Sequence, residues 1–133
     1  MKIVDLMQSP VTTVGRDATV GEVIITLADH HISAVPVVDQ AGRMIGVLST
    51  TDVLEAEAAA SDHAAREQLF TDTRVEELMT TRPITIAPDA DVREAARQML
   101  YGDVHRLFVE QEGQLVGVIS RTDVVRAFAI QRA

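Results

Sequence analysis

The stretch GVLSTTD at residues 46–52 returns as GVISRTD at residues 117–123. The two stretches share a glycine, two aliphatic residues, a serine, a threonine and an aspartate in the same order. In each stretch the apolar run predicts a strand that ends at the serine, and the S-x-x-D pattern has the form of a capping box at a helix start. A strand-to-helix turn that occurs twice in one short chain indicates a repeated unit.

The repeat extends well beyond this turn. With an offset of 72 residues, Met7 aligns with Met79, and the alignment continues through the apolar positions that follow. One residue is lost between the loops DQAG and QEG, and after it the offset is 71, so that Gly46 aligns with Gly117. About fifty residues correspond in each half, which indicates an internal duplication and not a solenoid. We expect repeat one over residues 1–60, a connector over 61–72 and repeat two over 73–133.

Each repeat has the same predicted order of elements. A short helical segment (IVDLM or RVEELM) leads into a proline-marked extended piece (PVTTV or RPITI). A helix then begins at TVGE or DVRE, both of which have the form of a capping box. Two apolar runs joined by a polar, glycine-containing loop predict a hairpin, and a last helix begins near Thr51 or Thr122. The segment EAEAAASDHAAREQLF, residues 55–70, joins the halves and is predicted to be helical with a break near Ser61 and Asp62.

The fold class is therefore α/β (α+β), with strand, helix, strand, strand and helix in each of two pseudo-symmetric repeats. A unit of about sixty residues is marginally stable alone, because it buries too little of its surface. We therefore expect the two sheets to pack together about a pseudo-two-fold axis, which would leave two equivalent clefts where the halves meet.

Composition excludes several classes of function. The net charge is −8, from 12 basic and 20 acidic residues, and the basic residues are scattered, which argues against a nucleic-acid partner. Three Phe, one Tyr and no Trp offer no platform for stacking bases. No apolar run is long enough to span a bilayer, and no signal peptide is visible. There are no cysteines, which suits a reducing compartment, so we expect a cytoplasmic protein with no membrane partner.

Motifs of catalysis and metal binding are missing from the sequence. His30 and His31 are adjacent and cannot form a two-histidine metal face at helical spacing. The sequence contains neither a phosphate-binding loop ending in Gly-Lys-Ser/Thr nor a G-x-S-x-G turn. We expect no catalytic residues, no metal site and no cofactor.

The order of elements, the strand VPVVD and the repeated turn G-V-h-S-x-x-D (h, aliphatic) resemble a tandem pair of CBS domains, or Bateman module. The resemblance covers nearly the whole chain, from Ile3 to Phe128. It implies a regulatory module that binds AMP, ADP, ATP, S-adenosylmethionine or a related adenosine ligand in the inter-repeat clefts. It also implies a homodimer that reports ligand occupancy to a target enzyme, channel or transporter. The alternative is a structural or interaction module that dimerises without a small-molecule ligand.

The resemblance also implies roles for particular residues. The aspartate of each turn would contact ribose and the hydroxyl residues beside it would contact phosphate. These residues are Asp52 with Ser49 and Thr51, and Asp123 with Ser120 and Thr122. Adenine would lie among backbone groups and side chains of Thr13, Val14, Val35, Pro36, Thr85, Ile86, Leu107 and Phe108. From the residues alone, each aspartate caps its helix, contacts ribose, or does both in different states.

Basic residues distinguish the two repeats. Arg121 lies inside the second turn where the first has Thr50, and His105 and Arg106 open the middle strand of the second repeat. Arginine offers a charged fork that suits phosphate, so we expect phosphate-bearing ligands to bind chiefly at the second turn. The alternatives are solvated surface arginines and a half-buried histidine that only packs.

Overall fold

The computed structural model of the protein describes residues 1–81 and 83–132. After a short 3-10 helix (Ile3–Asp5), the strands are β1 (Val14–Gly15), β2 (Ala34–Val38), β3 (Met44–Ser49), β4 (Thr85–Ile86), β5 (Arg106–Gln111) and β6 (Gln114–Ser120). The helices are α1 (Val20–His30), α2 (Thr50–Ala59), α3 (His63–Thr71), α4 (Val75–Leu78), α5 (Val92–Gly102) and α6 (Arg121–Arg132). The predicted order of elements in each repeat is confirmed. Arg82, in the predicted extended piece RPITI, lies outside the described residues.

The segment of residues 55–70 is helical on both sides of the predicted break. Helix α2 ends at Ala59 and α3 begins at His63. The side chain of Asp62 caps α3, since its Oδ1 accepts a hydrogen bond of 2.8 Å from the N–H of Ala65. The sequence prediction of a helix interrupted near Ser61 and Asp62 is therefore confirmed.

The chain forms two compact units that differ from the sequence repeats. The central unit contains Thr12–Pro83, and the terminal unit contains Met1–Val11 together with the chain from Ile84 onward. The first residues of repeat one thus belong to the unit that holds the sheet of repeat two, and the first residues of repeat two belong to the other. The boundaries predicted above follow the sequence repeats and stay a prediction, whereas these units follow contacts in space.

The central unit is built on a sheet in the order β1-β2-β3. Strand β1 runs parallel to β2, and β2 is antiparallel to β3. The N–H groups of Val47 and Thr80 donate to each other's carbonyl oxygens at 2.9 Å, so the segment after α4 lies beside β3. One side of the sheet carries a core of fully or almost fully buried residues, namely Val23, Leu27, Val35, Val37, Leu48 and Val75.

The terminal unit repeats this plan with the sheet order β4-β5-β6. Gln8 occupies the place that Thr80 has in the central unit: its N–H donates to Val118 at 2.8 Å, and its carbonyl accepts from Val118 at 3.0 Å. The core consists of the buried residues Ile3, Ile86, Val92, Ala95, Met99, Leu107, Val109, Ile119, Val124 and Ala127. In both units, a segment from the other repeat therefore lies along an edge strand.

The glycine of each repeated turn makes room for that segment. A Cβ at Gly46 would lie 2.5 Å from the Sδ of Met79 and 3.0 Å from the carbonyl oxygen of Thr80. A Cβ at Gly117 would lie 2.5 Å from the Sδ of Met7 and 3.2 Å from the carbonyl oxygen of Gln8. Another backbone therefore approaches both glycines closely, which explains why a side chain is missing there.

The aligned helices α1 and α5 begin differently, although both starts have the sequence form of a capping box. At α1 the box is complete: Thr19 Oγ1 accepts from the N–H of Glu22 at 3.2 Å, and the Glu22 carboxylate accepts from the N–H of Thr19 at 3.4 Å. At α5 the Asp91 side chain accepts from the N–H of Arg93, but Glu94 accepts instead from Arg97 at 2.8 and 3.1 Å. The predicted DVRE box is wrong in its glutamate half, because a guanidinium one turn away offers the stronger, charge-assisted hydrogen bonds.

Candidate functional site

Both repeated turns form complete capping boxes. In the first, the N–H and hydroxyl of Ser49 donate to Asp52 Oδ2 at 2.9 and 3.0 Å, and the N–H of Asp52 donates to Ser49 Oγ at 3.2 Å. In the second, the N–H of Ser120 donates to Asp123 Oδ2 at 2.9 Å, and the N–H of Asp123 donates to Ser120 Oγ at 3.2 Å. The sequence predicted that each aspartate caps its helix, contacts ribose, or does both. The capping interaction is present at both positions.

The capping box determines which backbone donors stay available at each helix start. The N–H of the first helical residue is bonded to the preceding strand, from Thr50 to Ser33 at 2.9 Å and from Arg121 to His105 at 3.0 Å. The third helical N–H belongs to Asp52 or Asp123 and is bonded to serine. The second, of Thr51 or Thr122, has no acceptor among the described residues, and both threonines are exposed. An N–H and a hydroxyl at a helix N-terminus suit an anion.

Predicted site residues of the central unit lie on or beside adjacent strands of its sheet. Ala34 at the start of β2 pairs with Ser49 at the end of β3, and Val14 of the parallel strand β1 pairs with Val37. Val35 and Pro36 therefore follow the residue that pairs with Ser49, whereas Thr13 immediately precedes β1, which lies beside the far end of β2. Val35 is fully buried in the core, so its side chain cannot also line an open site, whereas Pro36 is buried on the opposite side of the sheet.

The terminal unit brings its predicted residues together in the same way. Thr85 pairs with Phe108 in the parallel ladder of β4 and β5, and Arg106 pairs with Ser120 in the antiparallel one. Ile86 and Leu107 belong to the hydrophobic core, with 4% and 1% exposure. Phe108, like Pro36 in the other unit, alternates with the core residues along its strand and is buried on the other side of the sheet.

Arg121 is not a solvated surface charge. Its guanidinium donates through Nε to the carbonyl of Val104 at 3.0 Å and through Nη2 to that of Met99 at 3.2 Å, and it lies 3.7 Å from the carboxylate of Asp103. These carbonyls lie at the C-terminal end of α5, where a cation is favourable. Of its neighbours, His105 is exposed and does not pack as a half-buried residue, and Arg106 is half-buried.

The two aspartates differ in their surroundings. Asp123 is 5% exposed, and its Oδ1 accepts a hydrogen bond from Gln8 Nε2 at 3.4 Å and lies 3.6 Å from the guanidinium of Arg126. Asp52 is half-buried, and within the described residues its carboxylate has no partner besides Ser49. Sequence reasoning missed Gln8, which is 115 residues away in the chain. The available signal was its alignment with Thr80, where a hydroxyl replaces the amide.

Other features of the described residues lie apart from these turns. An open cavity of about 680 Å³ on α5 contains none of the predicted site residues and is lined by Ile84, Glu94, Arg97, Gln98, Leu100, Tyr101 and Gly102. Across residues 1–81 and 83–132 no group of three or more His, Asp and Glu side chains could hold a metal ion. None of the helices in this part of the chain is long and apolar enough to cross a membrane.

The sequence profile of the CBS domain matches the chain twice, over residues 3–59 and 75–130. The chain belongs to the CBS domain family. Its two-repeat fold is that of a CBS pair: the crystal structure of CBSX2 from Arabidopsis thaliana in complex with AMP is similar with a TM-score of 0.83 and 25% identity, over 99% of this chain and 98% of that one. The predicted fold class is thereby confirmed.

Curated relatives of different lengths match this chain. Protein MJ1426 of Methanocaldococcus jannaschii is 26% identical over 96% of this chain and 90% of its own length. The inosine-5'-monophosphate dehydrogenase of the same organism is 30% identical over 87% of this chain, but this chain covers 21% of the dehydrogenase. Sequence similar to this chain thus makes up most of one relative and a minor part of another, an enzyme.

Proposed function

We propose that this CBS pair is a regulatory module that binds an adenosine-containing ligand at its two repeated turns. The observation that carries the proposal is the arrangement at each turn of a carboxylate beside the free N–H and hydroxyl of a threonine. The carboxylate suits vicinal ribose hydroxyls, and the threonine at the helix N-terminus suits phosphate. Support also comes from CBSX2, which has the same fold and was crystallised with AMP.

Within this proposal, AMP, ADP, ATP and S-adenosylmethionine are the candidate ligands. The ligand serves as a regulatory signal and not as a cofactor, and the module reports its presence to a target enzyme or transporter in the cytoplasm. A thermal-shift screen with these four ligands, GTP and NAD would identify the class. A ligand present at about 100 times its dissociation constant stabilises the folded protein by about 2.7 kcal/mol, which is readily measured.

Calorimetry with AMP tests the site itself. We expect Asp52→Ala or Asp123→Ala to weaken AMP binding at its own turn by about ten- to hundredfold, since a hydrogen bond to a charged group contributes about 1.5–3 kcal/mol. Asp62→Ala is the matched control, because it also removes a helix-capping aspartate but lies outside both turns. An equal AMP affinity of all three variants would mean that the two aspartates of the turns only cap their helices.

The second candidate is a structural module that dimerises without a small-molecule ligand. The complete capping boxes favour it, because both turns are satisfied by their own serine and aspartate. If none of the six compounds of the screen changes the melting temperature at millimolar concentration, this candidate replaces the first.

A homodimer is part of both candidates. Several large apolar side chains on the helices are exposed, and the most exposed are Leu54, Leu100, Tyr101 and Val125 with 68, 74, 97 and 65% of their surface. Burying such side chains against a second copy would be favourable. Sedimentation should show twice the 14.5 kDa of the chain at micromolar concentration; a monomer with and without AMP contradicts the proposal.

We also propose that the chain itself catalyses no reaction of its ligand. The proposal is supported by the sequence, which contains no recognisable nucleophile motif or phosphate-binding loop. Incubation with ATP, AMP or S-adenosylmethionine should give no product. Product formation that is proportional to protein concentration and is lost in Asp52→Ala or Asp123→Ala would overturn it.

A further inference from the structure

Gln8 reaches the aspartate of the second turn from the beginning of the chain. Its backbone is fixed beside β6 by two hydrogen bonds to Val118, of 2.8 and 3.0 Å, two residues before Ser120. From this position its side-chain amide extends to Asp123, where Nε2 donates to Oδ1 at 3.4 Å. The contact therefore joins a segment of repeat one to the turn of repeat two inside the terminal unit.

With Gln8 in place, both oxygens of the Asp123 carboxylate have partners. Oδ2 accepts the 2.9 Å hydrogen bond of the capping box from the N–H of Ser120. Oδ1 faces the amide of Gln8 and the guanidinium of Arg126, and 6% of the side chain is exposed. A carboxylate oxygen can accept about two hydrogen bonds. Oδ1 of Asp123 already faces both the Gln8 amide and the Arg126 guanidinium and is hardly exposed, so a ribose hydroxyl reaches it in competition with Gln8.

The lengths of these contacts indicate which partner gives way. The bond from Ser120 is short and belongs to the helix cap, whereas 3.4 Å is long for an N–H···O hydrogen bond. Gln8 is exposed, so its side chain can turn into solvent without breaking its two backbone bonds to Val118. Arg126 has 65% of its side chain exposed and can likewise move aside.

We propose that Gln8 is a ligand-site residue of the terminal unit that competes with ribose for Asp123. The inference rests on the proposed function. It adds a side chain that restricts the access of ribose to Asp123, which the first turn lacks. The residue aligned with Gln8 is Thr80, whose backbone makes the same bridge, to Val47, but whose side chain carries no amide. The two turns thus differ in how easily a ribose reaches the carboxylate, and the second turn is the restrained one.

Competition for ribose predicts a particular ligand dependence. Displacing Gln8 costs the same for adenosine, AMP and ATP, because the phosphates do not contact Oδ1 of Asp123. A ligand with one ribose hydroxyl in place of two depends less on this carboxylate. Removing the Gln8 amide should therefore improve the binding of AMP more than that of dAMP, its 2'-deoxy counterpart.

The experiment uses the full chain carrying Asp52→Ala, which isolates the second turn, with and without Gln8→Met. Methionine has a similar length and no amide. We expect Gln8→Met to tighten AMP binding about three- to tenfold, as for the loss of one competing hydrogen bond, and to change dAMP binding by less than about twofold. Thr80→Val in the Asp123→Ala background is the matched control at the first turn and should leave AMP affinity unchanged.

Two results would overturn the inference while leaving the proposed function intact. One is an unchanged or weaker AMP affinity in Gln8→Met when Asp123→Ala still removes binding at this turn; the other is an equal gain for AMP and dAMP. The side-chain amide resonances of Gln8 in the wild-type chain give a second measurement, and they should move when AMP is added. A chain that binds AMP at neither turn, with or without the Gln8 amide, contradicts both the inference and the proposed function.

Discussion

The two repeats contain the same turn in different surroundings. Ser49 with Asp52 and Ser120 with Asp123 form the same capping box, and the serine-to-aspartate distances are equal at 2.9 and 3.2 Å. Around the second box lie Gln8, Arg126 and the anchored guanidinium of Arg121, whereas the first turn has Thr50 at the arginine position. The local hydrogen bonds of the turn are therefore the same in both repeats. The differences come from residues that are remote in the sequence, such as Gln8, or that occur in only one repeat, such as Arg121.

The long helices differ in a similar way. Gly21 in α1 is covered by α3, and a Cβ there would lie 2.5 Å from the carbonyl oxygen of Phe70 and 2.7 Å from its ring. At the aligned position α5 has the exposed Arg93. Helix α3 therefore lies on α1 at the position where α1 has no side chain.

The largest effect is expected at this contact. Gly21→Ala should destabilise the chain by about 1–3 kcal/mol, because the new methyl group meets backbone that cannot rotate away. The aligned change, Arg93→Ala, should stay within about 0.5 kcal/mol, as is usual for an exposed position. Urea denaturation of both variants measures the difference. A similar stability of the two would show that α3 does not need the bare surface of α1.

The second comparison concerns the C-terminal end of α5. Arg121→Met should destabilise the chain by about 1–2 kcal/mol, because two carbonyl oxygens at the end of α5 lose charge-assisted partners in a partly exposed site. Thr50→Ala changes the aligned residue of the first turn, which is exposed, and should stay within about 0.5 kcal/mol. Thermal denaturation checks this, and equal losses would mean that the guanidinium does not hold α5.

The sequence predicted the common features of the repeats better than their differences. Hydrophobic period and capping patterns gave the element order, the helix break at Asp62 and the serine caps, because these depend on neighbours a few residues away. The exchange of the segments around Gln8 and Thr80 between units was not predictable, since no local pattern says which sheet an edge segment joins. The anchoring of Arg121 on α5 was missed for the same reason.

The positions of the candidate ligand residues were predicted from the sequence, but the side of the sheet on which each side chain lies was not. The positions came from the family resemblance, and in the structure they lie on or beside adjacent strands of each sheet and at the two turns. Val35, Ile86 and Leu107 turned out to be core residues, because alternation along a strand decides which face a side chain joins, and the sequence alone does not say which face the site uses. Which of the remaining residues bind a ligand stays a prediction.

A third prediction tests the sameness of the two turns. Ser49→Ala and Ser120→Ala should each destabilise the chain by about 1 kcal/mol, the usual effect of losing a serine cap, because each serine oxygen accepts the same 3.2 Å hydrogen bond. Chemical denaturation of the two variants should therefore give free energies that agree within about 0.5 kcal/mol. A clearly larger loss for Ser120→Ala would mean that the partners of Asp123 depend on the cap.

The smallest expected effect separates two aligned glutamates. Glu22 completes the capping box of α1, whereas Glu94 turns to Arg97 on α5. The hydrogen bond from Arg97, with further contributions from Gln98 and from the positive charge of Arg97, lowers the pKa of Glu94 below its ordinary value. Arg97→Met should return this pKa towards the ordinary value, and titration of the carboxyl carbon by NMR measures it.

The sign of the pH dependence follows from the lowered pKa of Glu94. A carboxylate whose folded pKa is depressed favours the folded state above its unfolded pKa, and this contribution is lost as the pH falls through the folded pKa. In Arg97→Met the folded pKa of Glu94 moves closer to its unfolded pKa, so stability should depend less on pH across that acidic range. Arg93→Met removes a neighbouring arginine that does not bind Glu94 and is the control. An unchanged Glu94 pKa in Arg97→Met would show that solvent already screens this pair, as it does many exposed ion pairs.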